Sequence, residues 1–83
     1  MKVSVKYFAS IREAIGQGGE SVQTQAATVG ALRDELIARG GAYAQSLARG
    51  KSVRVAVAQV MRDDTAALED GSEVAFFPPV TGG

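Results

Sequence analysis

The residues best placed to do chemistry in this sequence are its last two, Gly82-Gly83, with the α-carboxylate that follows them. Glycine carries no Cβ, so a Gly-Gly end passes a narrow channel and adopts any φ, as a terminus handled inside another protein's active site must. A carboxylate at neutral pH is a poor electrophile, so acyl chemistry on Gly83 needs prior activation, most directly as an acyl-adenylate. Upstream, Pro78-Pro79 stops any strand, because proline cannot donate to a ladder and holds φ near one value. Val80-Thr81 has no apolar pattern to anchor it. The expectation is an exposed, extended tail over 78–83, stiff at its base and pliable at its tip, reaching roughly 20 Å from the body.

Other chemistry is scarce. The chain has no cysteine and no histidine, which removes disulfides, thiolate metal sites, cysteine nucleophiles and the commonest general base. Gly50-Lys51-Ser52 invites comparison with a phosphate loop, but that motif needs a glycine five residues earlier, where Gln45 stands. Asp63-Asp64 are adjacent carboxylates facing different ways with no further ligand pattern, so they read as a solvated turn. No autonomous catalyst and no bound cofactor or metal is expected.

The elements that must position the tail are legible from periodicity. Residues 2–9 alternate, with Val3, Val5 and Tyr7 on one face and Lys2, Ser4, Lys6 and Phe8 on the other. Phe8 is then an aromatic on a polar face, covered by local packing or part of a docking patch. Ser10 with Glu13 fits a capping box for a short helix ending at Gly16. Residues 20–25 read as a second strand with Val22 in the core. Thr28 caps a main helix over 29–39, with Val29, Leu32 and Leu36 at helical spacing and Glu35 four residues before Arg39. Residues 42–49 read as irregular helical turns and 53–59 as a strong strand. Val60-Met61-Arg62 then leads to the Asp63-Asp64 turn, with Met61 outward. The last strand starts at Glu73 and puts Val74 and Phe76 on one face, Ala75 and Phe77 on the other.

Two strands, a crossing helix and two further strands predict an α+β fold, a mixed four- to five-stranded sheet packed on one main helix, with first and last strands central and parallel. The order is that of a β-grasp arrangement, expected over 1–77 and followed by the tail at 78–83. The 83 residues suffice for one modest core. Nine basic and nine acidic side chains leave no net charge, which argues against a nucleic-acid footprint or a polybasic membrane patch. With no long apolar run and no signal-like opening, a soluble cytoplasmic protein is expected.

The sequence resembles a known family, the MoaD-type ubiquitin-like sulfur carriers that form the small subunit of molybdopterin synthase. The resemblance is carried by Lys6-Tyr7-Phe8-Ala9-Ser10-Ile11-Arg12-Glu13, by Thr28-Val29-Gly30-Ala31-Leu32, and above all by the segment from Asp70 to Gly83 with its Phe-Phe-Pro-Pro-Val-Thr-Gly-Gly ending. Ala58 and Ser72 depart from it, standing where the family often has Asn and Asp.

The resemblance implies a β-grasp fold and a role in molybdenum cofactor biosynthesis. An adenylating enzyme of the ubiquitin-activating type would use ATP on the Gly83 carboxylate. A sulfur donor protein would convert it to a thiocarboxylate, and the large subunit of the synthase, in a heterotetramer, would use that sulfur on cyclic pyranopterin monophosphate. Phe8, Met61 and Phe77 would form the docking surface, with Pro78, Pro79, Val80, Thr81 and Gly82 inserted into the partner. The same tail would also suit a carrier for thiamine, cysteine or tRNA thiolation, a protein modifier attached through Gly83 to lysines, or a plain interaction module.

Overall fold

In the computed structural model, which describes residues 1–79, the chain runs β1 (Lys2–Tyr7), α1 (Ala9–Ile15), β2 (Gly19–Gln23), α2 (Val29–Ile37), α3 (Gly41–Leu47), β3 (Arg54–Val57), β4 (Val60–Arg62) and β5 (Glu73–Phe77). The five strands form one sheet in the order β2-β1-β5-β3-β4. β1 and β5 lie side by side and parallel, with Val5 opposite Val74 and Tyr7 opposite Phe76; all other pairings are antiparallel. The expected central pair is therefore present.

One face of the sheet holds the core. Val3, Val5 and Tyr7 of β1, Val55 of β3 and Val74 and Phe76 of β5 are buried with Val29, Leu32 and Leu36 of α2, Ile11 of α1 and Leu47 of α3. Strand period and helix period thus deliver their apolar stripes to one layer, where each large side chain removed from water contributes about 1.5–3 kcal/mol. Thr28 caps α2 as expected, its hydroxyl accepting from the Ala31 amide at 3.2 Å. Gly16 closes α1 in the left-handed region at φ 89°, where an L side chain is strained.

Several local expectations are corrected. The Ser10 capping box does not form: α1 starts at Ala9 with Phe8 as its N-cap and no side-chain cap. The reason is that the β1–β5 ladder runs on to Phe8, whose amide donates to the Phe76 carbonyl at 3.1 Å. The chain must then turn sharply, and it does so at Ala9 with φ 52°, before Ser10 is reached. The Glu35–Arg39 pair is also absent, because α2 ends at Ile37 and Arg39 lies beyond the helical register. Glu35 instead accepts from the Thr24 hydroxyl at 2.8 Å, and Arg39 reaches Glu20. Residues 42–49 are not irregular: α3 is a regular helix over Gly41–Leu47.

The strand expected over 53–59 is shorter. A two-residue hairpin at Ala58 (φ 50°) and Gln59 (φ 68°) returns the chain as β4. A tight hairpin of this hand needs positive φ at both central residues, which Asn-Gly adopts more readily than Ala-Gln. Nothing in the residue types at 58 and 59 signals the turn, so β4 escaped the periodicity.

Candidate functional site: the outer sheet face and the end of β5

The sheet face away from the core gathers the residues predicted to dock a partner. Outward residues of neighbouring strands share a row: Lys6, Ala75, Ala56 and Met61 stand in register across β1, β5, β3 and β4. One step towards the end of β5, Phe77 lies opposite Arg54. Phe8 packs its edge on Phe77, ring centroids 6.3 Å apart and planes at 83°, an arrangement that matches the aromatic quadrupoles. Even so, Phe8 stays 45% exposed and Met61 51% exposed. Phe8 is thus braced locally by Phe77 and still remains on the surface. The Ala9 turn is what keeps it there, since α1 leaves towards the core side and does not cover the ring.

Phe8, Phe77, Ala75, Ala56 and Met61 make a contiguous apolar strip with small residues at its centre and large ones at its ends. Its margin is charged, with a Lys6–Glu73 pair at 3.6 Å that is exposed and adds little to stability. β5 ends at Phe77, Pro78 is half-buried and Pro79 exposed. Beside the two prolines a groove of about 290 Å³ runs between α1 and the segment after α3, bordered by Ile11, Ala14, Ser46, Lys51 and Val53. The remaining predicted positions, Val80, Thr81, Gly82 and Gly83, lie outside the described residues.

On the core side, polar networks link the elements behind this face. Glu20 of β2 accepts from Tyr7 Oη at 2.8 Å, Tyr43 Oη at 2.7 Å, Gln17 Nε2 at 3.2 Å and Arg39 at 2.8 Å. Burial by itself would raise the Glu20 carboxyl, but the hydrogen bonds from Arg39, Tyr43 and Tyr7 outweigh it and hold the group below its ordinary value of 4.5. Burial, followed by the hydrogen bond to Glu20, pushes the Tyr7 phenol up. Tyr7 also stacks on Phe76 at 6.4 Å, so the network braces the strand that leads to the tail.

Arg33, 5% exposed, donates to the carbonyls of Leu47 and Ala48, each at 2.7 Å, and closes the end of α3. Desolvation lowers its pKa. Arg49 ties Asp34, Asp64 and the Gly30 carbonyl together. Asp64 is thus an ion-pair partner, and Asp63 accepts from the Thr65 amide at 2.9 Å. Among the described residues no cluster of three or more acidic, cysteine or histidine side chains could hold a metal, and no helix is long and apolar enough to cross a membrane. Sequence reasoning missed the Glu20 and Arg33 networks. The available signals were a tyrosine hydroxyl at a core position, which needs a partner, and an arginine adjoining Leu32 in the core stripe of α2.

Comparison with known proteins settles the family. Residues 5–83 match the ThiS family. The chain belongs to it. It is 42% identical to the molybdopterin synthase sulfur carrier subunit of Escherichia coli over 81 residues, covering 98% of this chain and 99% of that protein. The Haemophilus influenzae protein of the same name is 40% identical over the same shares. Among solved structures, SAMP1 of Haloferax volcanii superposes with a TM-score of 0.79 at 27% identity, covering 100% of both chains. The resemblance read along nearly the whole chain is upheld, and the fold is the ubiquitin-like β-grasp expected for it.

Proposed function

We propose that this chain is the sulfur-carrier subunit of a molybdopterin synthase, with Gly83 as the carrying residue. The observation that carries the reading is the near-full-length identity of about 40% to two molybdopterin synthase sulfur carrier subunits. The outer face supports it, since an exposed apolar strip directly flanks the end of β5, where a partner taking up the tail would also touch Phe8, Phe77 and Met61.

The chemistry follows from the terminus. An adenylating enzyme of the ubiquitin-activating type joins the Gly83 carboxylate to the α-phosphate of ATP and releases pyrophosphate. Sulfur from a donor protein then replaces AMP and leaves a thiocarboxylate, which is nucleophilic where the carboxylate was inert. Residues 78–83 form the tail that the large subunit of the synthase admits, and the sulfur passes there to cyclic pyranopterin monophosphate. A dithiolene needs two sulfurs, so two loaded carriers are consumed per pterin. The folded part, residues 1–77, binds no cofactor and acts as the handle.

Intact-mass analysis after incubation with the cognate adenylating enzyme, ATP and a sulfur source tests this: one oxygen should be exchanged for one sulfur at the terminus. Reconstitution with the large subunit should then turn over the pterin. Removal of Gly82-Gly83 should abolish both while leaving the fold intact. An unchanged mass under those conditions would overturn the reading.

A second reading is favoured by the structural likeness to the small archaeal modifier protein of Haloferax volcanii: a modifier joined through Gly83 to lysines. Branched Gly-Gly remnants on cellular lysines that vanish when this chain is deleted would select it.

A further inference from the structure

One residue of the outer face differs in chemistry from its aromatic neighbours. Met61 stands opposite Ala56, which in turn stands opposite Ala75. Methyl-sized side chains therefore border its thioether along the row, and the residue is 51% exposed. The chain has no cysteine to react in its place and only one other methionine, Met1. Met1 sits at the start of β1, three positions from β4 in the sheet order, with its amine donating to the Thr24 carbonyl at 3.1 Å. The docking face thus contains a single two-electron-oxidisable sulfur, and it is open to solvent.

We propose that Met61 is an oxidation site, and that its sulfoxide weakens the carrier's hold on its partner. The inference rests on the outer face being the docking face. The oxidant is hydrogen peroxide: the thioether sulfur attacks one oxygen, an S–O bond forms as the O–O bond breaks, and the expelled hydroxide takes the proton of the transferred oxygen and leaves as water. Sulfur loses two electrons and the peroxide gains them. The product replaces a soft apolar atom by a strong hydrogen-bond acceptor. Along the row Ala56 and Ala75 offer no side-chain donor. Arg54 and Thr65 line the same hollow as Met61, but an apolar partner surface seated on the thioether would hold the new oxygen away from them and unpaired. A trapped acceptor of this kind corresponds to roughly tenfold weaker binding. Methionine sulfoxide is reversible by reductases, so the loss would be recoverable.

The test uses the full chain and its cognate synthase large subunit. The chain is treated with hydrogen peroxide, oxidation at Met1 and Met61 is mapped by peptide mass, and affinity is measured by calorimetry before treatment, after it, and after methionine sulfoxide reductase. The expected result is binding weakened about tenfold, restored by the reductase, with an unchanged circular dichroism spectrum. Met61→Leu, whatever its own starting affinity, should show no response to peroxide although Met1 still oxidises. Full oxidation of Met61 with unchanged affinity would overturn the proposal, and so would an equal loss in Met61→Leu. If the untreated chain fails to bind the large subunit, the docking reading itself is wrong and the oxidation proposal falls with it.

Discussion

The two faces of the sheet are made by alternate residues of the same strands and meet different surroundings. On β5, Val74 and Phe76 point inward and are fully buried, whereas Ala75 and Phe77 point outward and are only partly covered. The inner face meets α2 and is closed by side chains from every helix; the outer face meets solvent and carries Phe8 and Met61. A period of two therefore lets five residues of one strand face the core and the solvent separately. Substitutions on either face should separate along the same line.

The largest effect is expected on the inner face. Phe76→Ala should destabilise the domain by about 3–5 kcal/mol, because the ring's contacts with the core and its stack on Tyr7 are lost and the cavity cannot collapse fully. Chemical denaturation measures it. Little destabilisation would break the division between the faces.

Next is the outer face, where Phe8→Ala should shift stability by only about 0.5 kcal/mol while weakening binding of the large subunit by about 2 kcal/mol, as expected of an aromatic anchor. Denaturation and calorimetry on the same sample decide it. A large stability loss with intact binding would reverse the assignment.

Glu20→Gln sharpens the inner side. It should cost about 1–2 kcal/mol at neutral pH, since the amide cannot serve all four donors equally well. It should also flatten the acid limb of the stability curve. In the folded chain Glu20 is held below its ordinary value of 4.5. The unfolded chain therefore takes up the proton more readily, and the stabilisation is complete above that value and lost as pH falls through the folded one. Urea midpoints measured from neutral to acidic pH should converge for the two proteins at the acid end.

The smallest effect lies at the hairpin between β3 and β4. Gln59→Gly should stabilise the domain by about 0.5–1 kcal/mol, because φ 68° costs an L side chain strain that glycine avoids. Thermal unfolding would register it as a raised midpoint. Tail loading should be unaffected, since the hairpin belongs to the opposite end of β5.

How much of this was legible in the residues differs from place to place. Val3, Val5 and Tyr7, the α2 stripe of Val29, Leu32 and Leu36, the Thr28 cap and the Gly16 stop were all readable, because each depends on neighbours within a few positions. So was the last strand, with Val74 and Phe76 on its buried face. The hairpin at Ala58-Gln59 was not, since its turn residues carry no turn chemistry and the β3 ladder compels the conformation. The Ser10 box failed for the same kind of reason: a hydrogen bond from Phe8 to β5, 68 residues along the chain, outcompeted a local cap.

The sequence by itself determined the periods, the core stripes and the caps at Thr28 and Gly16, because alternation and capping are local properties. Only the tertiary structure decided that Phe8, Phe77 and Met61 share one open face. It also decided that Glu20 serves Tyr7, Tyr43 and Arg39, because those pairings depend on strand order and register, which join residues far apart along the chain.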